Sequence, residues 1–181
     1  MTRMIYCTVA AAALAFASPA MAQDAAPATP LAAAPSGFRV ELLAGYDHGG
    51  VDGFHMNGLM YGIGAGYDLA VSNSVSVGAD AELSDSTGSK DGVKAGRDLY
   101  AGARVSFAVA PSANLYVKGG YTNARLTIED CCSDNGDGFR VGVGGQYTIA
   151  GKTYVGAEYR YSNYEGDFER HQVALTLGAR F

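Results

Sequence analysis

The chain has 181 residues, with 13 Lys plus Arg against 18 Asp plus Glu, 25 Gly, 12 Tyr and no Trp. That acidic balance excludes the basic footprint of a nucleic-acid binder and the polybasic patch of a peripheral membrane protein, so no nucleic-acid partner is expected. Beyond Ala22 no segment is long and apolar enough to cross a membrane as a helix, and with mean hydropathy near zero any membrane insertion is by a closed β-barrel.

In chain order, Met1 to Met4 carries Arg3, Ile5 to Ala17 is an uncharged apolar run, and Ser18 to Ala22 ends in Ala-Met-Ala before Gln23. This predicts a cleaved secretory signal peptide over residues 1–22, too short and wrongly flanked for a spanning helix. Cys7 lies inside the apolar run, well before the cleavage site, which argues against a lipoprotein. Cleavage removes one basic and no acidic residue, leaving 12 against 18 and a net charge of −6. Residues 23–36, QDAAPATPLAAAPS, form an Ala/Pro-rich leader that cannot build a core and reads as flexible or partly polyproline-like.

From Gly37 to Phe181 the hydrophobic period is two. Phe38, Val40, Leu42, Ala44 and Tyr46 alternate with Arg39, Glu41, Leu43, Gly45 and Asp47. The same alternation recurs over Leu59–Leu69, Val75–Leu83, Leu99–Val109, Leu115–Thr122, Phe139–Ile149 and Thr153–Ser162. It ends in HQVALTLGARF, where Val173, Leu175, Leu177, Ala179 and Phe181 share one face. The fold class expected is therefore all-β, an eight-stranded antiparallel up-and-down transmembrane barrel. About ten residues at roughly 3.3 Å each, tilted about 40°, give a height of about 25 Å, the thickness of the apolar band of such barrels. Connections alternate in length. Ala70 to Ser74, Ala110 to Ala113 and Ala150 to Lys152 are short, whereas His48–Gly58, Asp85–Asp98, Asn123–Gly138 and Asn163–Glu169 are expected as longer external loops.

The alternation assigns residues to the two faces. Tyr46, Tyr61, Tyr67, Phe107, Tyr121, Tyr147, Tyr159, Tyr161 and Phe181 fall outward near strand ends, as an aromatic girdle at the membrane interfaces requires. Inward fall Arg39, Arg104, Lys118, Arg140, Arg160 and Arg180 against Glu41, Asp80, Glu82 and Glu158. Ionised groups in a narrow lumen are costly unless paired or hydrated. These ten are expected to form a charge network filling a barrel only wide enough for side chains. Eleven inward glycines (Gly45, 62, 64, 66, 78, 102, 120, 142, 144, 156 and 178) either accommodate long Arg and Tyr side chains or leave room for water.

Several motifs are discounted. Gly62-Ile63-Gly64-Ala65-Gly66 lies within a strand pattern, not at a strand-to-helix turn, so it is no dinucleotide loop. Asp134 to Gly138 lacks the spacing and terminal glutamate of a calcium loop. His48 and His55 share a predicted loop without a convincing ligand set, so no metal or cofactor is expected. His171 near the rim has no Ser and acidic partner at a telling spacing, and no enzymatic activity is expected. Cys131 and Cys132, adjacent in an acidic external loop and exported to an oxidising compartment, are candidates for a loop disulfide or for pairing between molecules.

A terminal amphipathic strand ending in Phe181, after seven others of matching period, resembles the small eight-stranded outer-membrane β-barrels. That family includes the membrane domain of outer membrane protein A and the opacity-type surface proteins of Gram-negative cell envelopes. The resemblance implies an outer-membrane location, both termini and the leader on the periplasmic side, and surface-exposed long loops. It also implies lipid as the surrounding partner, delivery by periplasmic chaperones, and recognition of Phe181 by the barrel-assembly machinery. Outer membrane protein A continues into a soluble peptidoglycan-binding domain where this sequence stops, so cell-wall tethering is not carried over. Two functions stay open: a structural barrel that supports membrane integrity and displays loops to surface ligands, or a low-conductance porin for ions or small solutes.

Overall fold

The computed structural model describes residues 32–51, 54–90, 93–128, 132–165 and 168–181. The signal peptide, most of the leader and Cys131 lie outside them. The chain forms β1 (Gly37–Val51), β2 (Phe54–Ala70), β3 (Val75–Ser86), β4 (Ser89–Lys90), β5 (Val93–Ala110), β6 (Ala113–Ile128), β7 (Cys132–Ala150), β8 (Thr153–Tyr164) and β9 (Phe168–Arg180). Each strand pairs antiparallel with its neighbours. β4 is a two-residue continuation of the β3 wall, and β3 pairs directly with β5. β1 pairs with β9, from Arg39↔Arg180 to Gly50↔Glu169, so the eight walls close into a barrel.

At one end the connections are tight. Val71–Ser74 turns back with Val71 N–H and Ser72 N–H donating to Val75 O. Residues 111–112 and 151–152 make the other two turns, and Gly151 takes φ +50°, a conformation that suits glycine. These are the short connections expected.

The opposite end differs from expectation. The four segments read as long loops are largely strand. β1 runs on to Val51 and β2 starts at Phe54, still paired as Gly50↔His55, while β6 and β7 remain paired to Ile128↔Cys132. Above the apolar band no face has to be hydrophobic, so the sequence contrast fades although the backbone ladders continue, with one irregularity between Ala95 and Asp98. At 18 residues, β5 reaches about 45 Å, well beyond the roughly 25 Å of an apolar band. The surplus forms paired hairpins above the band.

The outer surface marks that band sharply. Phe38 to Tyr46 on β1, Leu59 to Leu69 on β2 and Val173 to Phe181 on β9 expose their large apolar side chains. The next outward position at the hairpin end is polar on every wall: His48, Asn57, Asp85, Arg97, Asn123, Asp137, Asn163 and His171. The expected girdle residues Tyr46, Tyr61, Tyr67, Phe107, Tyr121, Tyr147, Tyr159 and Phe181 are all exposed, and Tyr161 is half-exposed.

Candidate functional site: the charged lumen

Inside the wall the polarity is reversed. Among the described residues the enclosed charged side chains are Arg39, Arg104, Lys118, Arg140, Arg160, Arg170 and Arg180 against Glu41, Asp47, Asp68, Asp80, Glu82, Asp98 and Glu158. Seven cations face seven carboxylates, so the filling is formally neutral.

They form one ladder from end to end. At the turn end, Asp68 accepts from Arg180 Nη2 at 3.1 Å and from Arg39 Nη1 at 3.0 Å. Arg39 also pairs with Glu41, at 3.4 Å, and with Asp80. Asp80 accepts from Arg104 Nε at 2.9 Å. The Arg104 guanidinium lies 4.0 Å from the centre of the Tyr116 ring, whose hydroxyl donates to Glu158 Oε2 at 2.6 Å.

The middle tier is a compact cluster of two cations and two carboxylates. Lys118 Nζ lies 2.5 Å from Glu82 Oε1 and 2.7 Å from Glu158 Oε1. Arg160 reaches the same two groups, Glu158 at 2.5 Å and Glu82 at 3.1 Å. Arg140, 4.0 Å from Glu82, connects this tier to the hairpin end. There Asp98 is held by Arg140, by Arg170 Nη1 at 3.0 Å, by the Thr122 hydroxyl at 2.7 Å and by the Tyr164 hydroxyl at 3.1 Å. Arg170 Nε in turn donates to Asp47 Oδ1 at 2.7 Å. Above that pair the lumen narrows to a recess of about 40 Å³ lined by Met56, Tyr164 and Phe168.

The inward glycines decide where the long side chains lie. A Cβ on Gly144 would meet the Tyr116 ring at 2.6 Å, and one on Gly178 would strike Tyr154. One on Gly66 would strike the Arg39 guanidinium. These glycines are notches filled by Tyr and Arg. Tyr154, so seated, donates to Glu41 Oε1 at 2.7 Å beside Gln146 Nε2 at 3.0 Å.

The structure brings all ten expected lumen charges, Arg39, Glu41, Asp80, Glu82, Arg104, Lys118, Arg140, Glu158, Arg160 and Arg180, into this ladder. Four members were missed. Asp47, Asp68 and Arg170 follow the inward alternation but sit at strand ends, and Asp98 stands at the edge of a predicted loop. The alternation itself already puts Asp47, Asp68 and Arg170 inward, so counting every charge on that face would have included them, and Asp98 lies one residue before the strand that begins at Leu99. Phe181 packs at the closing seam, its N–H donating to Phe38 O at 2.8 Å. Cys132 begins β7 opposite Ile128, and the disulfide reading falls outside the described residues.

Comparison with known proteins accounts for this architecture. Residues 8–181 match the model of the outer membrane protein beta-barrel domain. No curated protein sequence matches the chain. Among solved structures it is similar to Ail, the attachment invasion locus protein of Yersinia pestis, at 17% identity, TM-score 0.60, covering 81% of this chain and 100% of that one. Neisserial surface protein A is similar at 16% identity and TM-score 0.63, covering 81% and 98%. The N-terminal β-barrel of Pseudomonas aeruginosa OprF is similar at 17% identity and TM-score 0.54, covering 79% and 97%. The chain belongs to the outer membrane protein β-barrel family and is an integral protein of the outer membrane.

Proposed function

We propose that this barrel is a non-enzymatic structural element of the outer membrane, plugged by its own side chains, which presents four paired hairpins at the cell surface. The observation that carries the reading is the neutral, continuous ladder from Arg180 to Asp47. In a lumen this narrow, side chains locked to one another occupy the space a solute would need. Residues 1–22 are read as the export signal, the leader and short turns as periplasmic, and Phe181 as the mark recognised by the assembly machinery after chaperone delivery.

The hairpins are the display surface for any external ligand. Ail of Yersinia pestis also forms a complex with the heparin analogue sucrose octasulfate. The hairpin end of this chain is acidic in sequence around residues 129–137, which favours a neutral or cationic partner over a sulfated sugar.

One observation supports the porin alternative. Ser76 Oγ, Asn114 Oδ1, Tyr100 OH and both Gln172 side-chain polar atoms are buried without a hydrogen-bond partner. Such groups are usually satisfied by water. Conductance decides between the two. The refolded chain is placed in a planar bilayer after its heat-sensitive gel migration has established a closed barrel. Silence is the expected result. Discrete, reproducible steps that change in Lys118→Gln would make the chain a porin.

A further inference from the structure

The chain has three histidines, and the fold gathers all of them on one outer patch. His48 on β1 stands directly across from His171 on β9. On the other side His48 faces Asn57 of β2, and its ring stacks on His55 at 5.6 Å between centroids. All three side chains are on the outward face, one outward position or two above Tyr46, Leu59 and Val173, the last exposed apolar groups on those strands. Two residues of tilted strand rise about 5 Å. The patch therefore lies just above the apolar band, at the depth of lipid headgroups rather than in the mouth of the lumen.

Hydrogen bonds fix two of these rings, His48 and His171. His48 Nδ1 lies 2.6 Å from Asn57 Oδ1, an acceptor, so Nδ1 carries the proton and Nε2 is the nitrogen left over. His171 Nδ1 is engaged by the Tyr159 hydroxyl at 2.7 Å. Protonation makes both nitrogens of each ring donors and gives each ring a positive charge.

The groups facing the patch from neighbouring walls set its sign. β8 contributes Tyr159 and Tyr161, and β9 contributes Glu169, whose carboxylate accepts from the Tyr161 hydroxyl at 2.8 Å; the outward carboxylate of β3, Asp85, stands across from Tyr61, four residues along β2 from Asn57, and is not part of the patch. Asp47 and Arg170 lie on the inner side of the same walls and are bonded to each other. With neutral imidazoles the one adjoining outer carboxylate, Glu169, leaves the patch anionic; with charged imidazoles it is cationic. Among the described residues no three His, Cys, Asp or Glu side chains converge as a metal site.

We propose that His48, His55 and His171 form a binding site for the phosphate of anionic lipid headgroups, occupied when the imidazoles are protonated. The site is independent of whether the lumen conducts.

The test measures lipid retention by native mass spectrometry of the mature chain in mixed micelles of phosphatidylglycerol and phosphatidylcholine. Retained phosphatidylglycerol is expected to rise at least about threefold from pH 7.5 to pH 5.5, and the rise to vanish in the H48Q/H55Q/H171Q variant. Equal retention at both pH values, or a rise that survives in the folded variant, overturns the proposal. A second measurement needs no variant. Imidazole NMR titrations of the unaltered chain in nanodiscs are expected to move to higher pH when phosphatidylcholine is replaced by phosphatidylglycerol. Inorganic phosphate added to phosphatidylcholine nanodiscs should leave them in place. Unmoved titrations in phosphatidylglycerol, or an equal shift with inorganic phosphate, overturn it.

Discussion

Tyr159 and Arg160 are adjacent on β8, yet the aromatic side chain is 45% exposed and the arginine 0%. Leu59 and Met60 on β2 show the same alternation, at 64% and 1%. In a water-soluble domain the arginine would be outside and the leucine inside. Here the outer face meets hydrocarbon and the inner face meets other charges, so one strand must satisfy two environments on successive residues. The outer face is held by its fit to the bilayer and tolerates exchange among apolar residues. The inner face is held by specific partners.

The comparison breaks most severely on the inside. Glu82→Gln leaves Lys118 and Arg160 sharing the single carboxylate of Glu158, an uncompensated charge in an enclosed site. A loss of about 3–5 kcal/mol is expected, read as a lower denaturant midpoint in lipid vesicles. Outside, Ile63→Arg puts a guanidinium near the middle of the apolar band, with an expected cost of about 2–4 kcal/mol in vesicles. In a shell of water the same exchange would be nearly neutral, so a silent Ile63→Arg would refute the lipid-facing assignment. Filling a notch is milder. Gly144→Val drives a methyl into the Tyr116 ring, for about 1–3 kcal/mol, and Tyr116→Leu in the same chain should recover part of it. That recovery, measured as a double-mutant coupling, separates a notch from a general strand defect. Arg97→Gln, outward but above the band, should change stability by no more than about 0.5 kcal/mol.

Much of this was legible before the structure. The period of two places every band residue, because lipid on one side and charge on the other enforce contrast at each step from Phe38 to Phe181. It fails where that contrast ends. His48 to Val51, Asn123 to Ile128 and residues 132–138 carry on as strand with no apolar face to announce it, and so were read as loop. The partners within the lumen are equally hidden. Asp47 and Arg170 are 123 residues apart and Glu41 and Gln146 105. Their meeting depends on barrel closure and register, which alternation along a single strand does not encode. The inward glycines offered two readings, and only the placement of Tyr116 and Tyr154 shows which side chains fill them.

The β1–β9 seam has a consequence for the order of folding. Every other pairing joins segments that are neighbours in the chain, so hairpins can form as soon as both arms exist. The seam brings Arg39 to Arg180 and must wait for the final strand. Until it shuts, β1 and β9 present unpaired edges, the state in which strands pair with the wrong partner. Arg180 then lacks Asp68, and Arg170 lacks Asp47. Sealing the edges and neutralising the interior are one event, so closure is all-or-none: a barrel with its seam ajar carries both open edges and unpaired charge.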